Sequence, residues 1–374
     1  MNLWNSGLRR RFVRHEAGQA PDIACRMACQ MKPRMRHLLL ALLASLVALL
    51  ATVGCPSIPS GGQSIAANTP VVPRGLSGRL LYTRDGGLWT LALDTGRAAQ
   101  IVAGPEVELV TAARWSPDAT RVAYALAEVR QVRDSRIPVF EIRVSSADGS
   151  GMQKLPDPDE IDTATGAPKW APDGAHLYLT KTGLIQGQRI RRIERADLAS
   201  GARTTVIEEV GAFDVSAEGR QLALAPGSRE GVIVLVDLGS GAQRTILEGG
   251  RFENIAALRF DPGARTILFT AAESATRGTL SGAPGGNRIE LPQPGAQRVH
   301  AHGPPQDVYA VSLDGRAVRR VVEVGADEPA IAPSPDGNHL AILSADSLAV
   351  VPTAGGKAAR LLTPGGAGTV DWAL

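Results

Sequence analysis

Three cysteines in 374 residues are few, and their placement sharpens the shortage. Cys25 and Cys29 lie upstream of the one long apolar run, and Cys55 closes that run. Everything after Cys55 is therefore without a disulfide, and about 300 residues can hold together by burial and hydrogen bonding alone. The Cys25–Cys29 spacing could start a metal site, yet nothing downstream completes it. Aromatic residues are only 4% of the chain, which counts against a carbohydrate site, where sugars stack on rings. Also missing are a G-x-S-x-G nucleophile elbow, an H-E-x-x-H pair and a P-loop. These gaps lead to the expectation of a protein that is not an enzyme and takes no cofactor.

The apolar run, residues 38–53, is 16 residues long. That is short for a membrane span and right for the core of an export signal. Lys32, Arg34 and Arg36 supply its positive flank, and Val53-Gly54-Cys55 resembles a lipobox, the motif in which the cysteine is lipidated and becomes the new N-terminus. Thr52 stands where that motif usually has Leu. The alternative is an uncleaved anchor helix of the same orientation, and either reading exports the rest of the chain. Residues 31–54 then form a lipoprotein signal peptide with its start at Met31 or Met35. Residues 1–30 are an over-long start or a cytoplasmic tail. Residues 55–75, rich in Pro, Gly and Ser, read as a flexible tether.

Residues 1–54 hold eight Lys/Arg against Glu16 and Asp22, a net +6, while the whole chain carries +3, so residues 55–374 come to −3. The basic character belongs to the leader. It offers no case for nucleic-acid binding.

From Arg79 onward a pattern recurs. Trp115-Ser116-Pro117-Asp118 and Trp170-Ala171-Pro172-Asp173-Gly174 are followed by degenerate copies starting at Val215 and Phe260 and a clean one at Pro333-Ser334-Pro335-Asp336-Gly337. Proline presets φ, aspartate caps the turn through its side chain, and glycine tolerates positive φ, so each unit links two antiparallel strands at low strain. A short alternating strand follows each turn (RVAYAL, HLYLTK, QLALAP, TILFTA, HLAILS), then a hairpin around Gly or Asp-Gly. Four strands repeated at about 45 residues make one blade of a β-propeller. The first unit lacks a leading strand. Residues 369–374 (TVDWAL) supply one, with Trp372-Ala373 aligned on Trp170-Ala171, so the chain ends are expected to close the ring in one blade. Trp115, Trp170 and Trp372 then pack between blades.

The expected fold is all-β: a propeller over residues 76–374 with four-stranded blades, six of them, and seven as the alternative. Turn spacings of 55, 45, 45, 73 and 39 residues place an insertion at about 271–306, where SGAPGGNRIELP could be a hairpin and QRVHAH the leading strand of a worn seventh blade. The W-[SA]-P-D-G turns with I/V-x-V-x-D-x-x-[ST]-G hairpins resemble the WD40-like repeats of the TolB propeller family, over about residues 78–374. A TolB protein also carries an α/β domain before its propeller, for which the tether leaves no room. The resemblance implies a binding scaffold and transfers no particular partner.

Candidate binding residues come from topology. Loops joining second to third strands open on the same face as those joining blade to blade. Arg130, Arg133 and Arg136 are placed in that connection of blade two, and Arg189, Arg191, Arg192 and Arg195 in that of blade three. Asp157, Asp159, Glu160 and Asp162 lie between, and the 271–306 insertion opens on the same rim. Four elaborated loops on a rigid scaffold suggest a recognition surface; the alternative is a strand whose arginines face water and pair with those acids. The turn aspartates Asp118, Asp173 and Asp336 are explained by turn chemistry. His300 and His302 are the weak metal candidates, with Asp307 a conceivable third ligand.

The expectation is a monomeric, extracytoplasmic propeller, anchored through lipidated Cys55, whose rim binds an envelope protein or peptide. Two rivals remain: a lyase or hydrolase with a metal or polar site in its central channel, and a structural envelope lipoprotein with no discrete ligand.

Overall fold

The repeating turns fold as their side chains dictate. The computed structural model describes residues 69–374, apart from 105–107, 133–134, 158, 160–161, 229, 275–286 and 289–303. In it Asp118 accepts hydrogen bonds from the Ser116 hydroxyl at 2.5 Å and the Thr120 N–H at 3.1 Å. Asp336 repeats this with Ser334 and Asn338 at 2.5 and 3.0 Å. The next position is left-handed: φ is 63° at Gly174 and 72° at Gly337, and Ala119 is forced to 54° where the repeat has lost its glycine. These contacts set the ionisation of Asp118, whose pKa the Ser116 and Thr120 hydrogen bonds lower to about 2.

Six antiparallel blades follow, so the sequence reading of six holds. Blade 1 comprises Val370–Ala373, Arg79–Arg84, Gly87–Ala92 and Ala98–Val102, in that order from the leading strand outward. Blade 2 is Glu108–Trp115, Arg121–Val132, Ser135–Ser146 and Gln153–Lys154; blade 3 is Thr163–Trp170, His176–Ile185, Gln188–Asp197 and Arg203–Ile207. Blade 4 is Gly211–Val215, Gln221–Pro226, Ile233–Asp237 and Gln243–Leu247, and blade 6 is Ala330–Pro333, His339–Leu343, Leu348–Pro352 and Ala359–Leu362.

Blade 5 is irregular. Its leading strand is broken into Phe252–Glu253 and Leu258–Phe260, both paired with Thr266–Glu273; Gln306–Ser312 and Val318–Ala326 complete it. Of the 271–306 insertion, Thr266–Glu273 takes the first residues, and Asn287–Arg288 adds a two-residue parallel strand on Val318–Ala326. The segment QRVHAH lies outside the described residues. So do the apolar run and Cys55. Thr69 to Gly75, the end of the expected tether, is described: Val71 donates to the Leu361 carbonyl at 3.1 Å and Val72 packs beside Trp372. Among the described residues there is no helix long and apolar enough to cross a membrane.

Six hydrophobic cores occupy the six blade-to-blade interfaces. Leu81 and Leu88 of blade 1 meet Val122, Tyr124 and Trp115 of blade 2, and the same exchange recurs around the ring. Both faces of a blade are thus buried. This explains why the second strands are nearly continuous in apolar residues rather than alternating: every residue of LALAP, 222–226, is buried. Arginines at the head of the second strands clasp the next blade. Arg79 lies 4.7 Å from the Trp115 ring and Arg121 4.8 Å from the Trp170 ring, and Arg79 donates to the Ala119 carbonyl at 2.8 Å.

The ring closes where the sequence placed the closure. Residues 370–373 pair antiparallel with residues 79–82, Leu80 opposite Trp372, which leaves no free inner edge in blade 1.

Candidate functional site

Stacking the six repeats on their turns brings one position of each leading strand into equivalence: the residue just before the turn's first side chain. It is Asp371, Arg114, Lys169, Asp214, Arg259 and Ala332 in blades 1 to 6. The pairing confirms the alignment. Each stands opposite the third residue of its second strand, namely Leu81, Ala123, Tyr178, Ala223, Leu268 and Ala341. Five of six are charged, in strands otherwise poor in charge.

The leading strands of blades 2 to 6, with Gly368 and Thr369 just ahead of that of blade 1, line a central cavity of about 160 Å³, with Arg114, Lys169 and Arg259 in its wall. Lys169 and Arg259 are buried. Lys169 reaches Asp214 at 3.4 Å and lies 5.8 Å from the Phe213 ring. The two acids are also used elsewhere: Asp214 accepts the Phe260 N–H and Asp371 the Trp115 N–H, both at 2.9 Å. Arg114 donates to the Ala113 carbonyl at 2.6 Å and to the Thr369 hydroxyl; Arg259 donates to the Val370 carbonyl at 3.2 Å. Burial, then the charges of Arg114 and Arg259, pushes the Lys169 pKa well below its ordinary value. Burial and Arg259 likewise lower that of Arg114 to about 9, which leaves its guanidinium charged at neutral pH.

The second feature is the rim. The central hairpin of blade 2 pairs from Arg121↔Ser146 to Val132↔Ser135, and that of blade 3 from His176↔Asp197 to Ile185↔Gln188. Blade 4 ends its equivalent pairing after four residues. At about 3.3 Å per residue the paired hairpins of blades 2 and 3 run roughly 20–26 Å further than it does. Gln186 and Gly187 turn the blade 3 tip with positive φ at both positions. On the extensions Leu109, Val129 and Leu184 are 51%, 44% and 57% exposed, high values for large apolar side chains.

Of the arginines proposed for this rim, those within the described residues are carried by strands rather than loops, and the structure separates them. Arg130 pairs with Glu128 at 3.0 Å and the buried Glu141 at 2.8 Å. Arg133 and the side chain of Arg136 lie outside the described residues. Arg189 is exposed near the blade 3 tip and makes no ion pair among the described residues. Arg191 reaches Glu209 at 3.6 Å, and Arg192 holds the buried Glu194 at 2.7 Å. Arg195 is six residues from Arg189, at the other end of the blade, paired with the turn residue Asp173 at 3.1 Å. It belongs to the opposite face, because antiparallel pairing carries the third strand away from the tip.

The acidic cluster is partly interior. Lys181, 1% exposed, holds Asp157 at 2.7 Å and Asp159 at 3.1 Å, and Arg203 reaches Asp157 at 3.6 Å and Glu194 at 3.2 Å. Glu160 lies outside the described residues, as do His300 and His302. Asp307 accepts the Val324 and Gly325 N–H groups at 2.8 and 3.0 Å and pairs with Arg320 at 3.3 Å. Among the described residues no group of three or more His, Cys, Asp or Glu is placed to hold a metal ion.

A six-bladed propeller with a charged channel and two projecting hairpins defines a broad class, within which solved structures give the comparison. The chain is similar to TolB from Acinetobacter baumannii at TM-score 0.57 and 16% identity, over 81% of this chain and 68% of that one. It is similar to a putative TolB from Agrobacterium tumefaciens at TM-score 0.51 and 15% identity, over 79% and 98%. A dipeptidyl peptidase 4 from Porphyromonas gingivalis is similar at TM-score 0.40 and 13% identity, over 79% and 45%. No protein-family profile and no curated protein sequence matches. The likeness establishes a TolB-type propeller fold.

Proposed function

We propose that this chain is an extracytoplasmic, membrane-anchored propeller that works as a protein-binding scaffold, not as an enzyme. The observation that carries the reading is the pair of overlong hairpins in blades 2 and 3. They hold Val129 and Leu184 out in solvent, with Arg189 opposite Leu184 and the exposed Leu109 on the strand paired with the blade 2 hairpin. Large apolar side chains left exposed next to charge are the composition of a protein docking surface. Lipidation at Cys55, after an apolar run of signal-peptide length, would hold the domain at an envelope membrane. The TolB-type architecture supports a scaffold role in general terms.

The test is crosslinking in native membranes followed by mass spectrometry, comparing wild type with a Val129→Asp/Leu184→Asp variant. A stoichiometric envelope partner captured by wild type and lost by the variant supports the reading. A partner retained in both moves binding to another surface, and no partner in either favours a purely structural role. Anchoring is tested separately: Cys55→Ala should leave the lipid-labelled fraction, and an unchanged lipid signal would remove the lipoprotein assignment.

A further inference from the structure

Arg114 and Arg259 occupy equivalent positions in blades 2 and 5, and neither has an ion-pair partner within 4 Å among the described residues. Their hydrogen bonds go to main-chain carbonyls and the Thr369 hydroxyl. The Nε of each is buried and meets no acceptor in the protein. An unsatisfied donor is costly in a protein interior, and more so on a charged group. Around them the channel position holds three cations and two acids. Asp214 is shared by Lys169 and the Phe260 N–H, and Asp371 is held by the Trp115 N–H. Blade 6 contributes Ala332 at that position. The wall thus has positive charge in excess and two guanidinium groups with unused donors.

We propose that the central channel binds a small oxyanion, a carboxylate or phosphate group, between Arg114, Lys169 and Arg259. The cavity of about 160 Å³ equals the liquid volume of about five waters, enough for an acetate- or phosphate-sized group and too little for a peptide. A guanidinium presents donors in a fork that fits two oxygens at once. An anion there would also offset the mutual repulsion that, with burial, weakens the charged form of Lys169. The inference is independent of the rim reading, since the channel and the hairpin tips share no residue.

The test uses the full chain, purified in detergent, titrated calorimetrically with sodium acetate, sodium phosphate and sodium chloride at fixed ionic strength. The expected result is saturable binding of acetate or phosphate, at least tenfold weaker for chloride. Arg114→Gln and Arg259→Gln should each weaken binding tenfold or more, while Val129→Asp binds as wild type. No saturable binding of either oxyanion, chloride binding as tightly, or unchanged affinity in both glutamine variants overturns the proposal. Should either variant fail to fold, wild-type crystals soaked in selenate decide. An anomalous peak between the two arginines supports the site, and its absence with selenate present overturns it.

Discussion

The Lys181 ammonium, inside blade 3, lies 2.7 Å from the Asp157 carboxylate, which approaches from the segment between blades 2 and 3. Both side chains are buried, and Thr165 adds a hydrogen bond to Asp157 at 2.8 Å. Removing one member leaves an uncompensated charge. Lys181→Met should cost about 3–5 kcal/mol, read as a lower denaturation midpoint. The double variant Lys181→Met/Asp157→Leu should recover part of that loss, because the buried carboxylate is removed with its partner while Arg203 keeps Glu194 at 3.2 Å.

Acid stability follows from the same groups. Burial raises the Asp157 pKa, but hydrogen bonds from Lys181 and Thr165 and the charges of Arg203 and Lys181 outweigh it, so the value is depressed. Glu141 is depressed likewise by Lys154 and Arg143 against its burial. A carboxylate with a lowered folded pKa contributes stability that is present above its unfolded value, near 4, and lost as pH falls through the folded one. Unfolding midpoints should therefore hold steady from about pH 7 to pH 5 and decline below about pH 4. A midpoint that fell between pH 7 and pH 5 would contradict this.

Ring closure should be separable from blade folding. Trp372 packs between blades 6 and 1, and its indole N–H donates to the Ser77 carbonyl at 3.0 Å. Trp372→Ala should destabilise by about 3–5 kcal/mol. Amide exchange should then rise first in Arg79–Arg84, the strand that residues 370–373 cover.

The turn that lost its glycine can be improved. Ala119 at φ 54° holds a conformation that costs an L-residue about 1–2 kcal/mol, partly offset by the entropy glycine adds to the unfolded chain. Ala119→Gly should stabilise by about 0.5–1 kcal/mol. The check is a denaturant midpoint, and a decrease would show that the turn tolerates alanine without strain.

Val129→Asp and Leu184→Asp should leave stability within about 0.5 kcal/mol of wild type, as exposed substitutions do. Their effect belongs in the crosslinking pattern alone.

The repeat was legible because its turns are local chemistry: Ser, Pro and Asp within four residues specify the geometry whatever surrounds them. Closure was legible because Trp372-Ala373 carries the same signature at the far end. Hairpin reach was not, since nothing within RVAYALAEVRQV says where pairing stops, and the described arginines read as loop residues are strand residues. Nor could composition tell which end of a strand Arg195 occupies; that needs the register. The channel charges were visible in principle. Aligned on their turns, the repeats read R-W-S-P, K-W-A-P, D-V-S-A, R-F-D-P, A-P-S-P and D-W-A-L, and the first column is the inner ring.

Because blade 1 is assembled from both ends of the propeller, its second strand has no neighbour on one side until residues 370–373 emerge. During synthesis Arg79–Arg84 thus waits, for nearly the whole elongation time, as a bare template. A competing strand from another copy would find the same hydrogen-bonding row that Val370–Ala373 eventually occupies. Crowded, slowly elongating chains should accordingly mispair at this seam before any other, and a peptide copying residues 369–374 would act as a decoy plug for it.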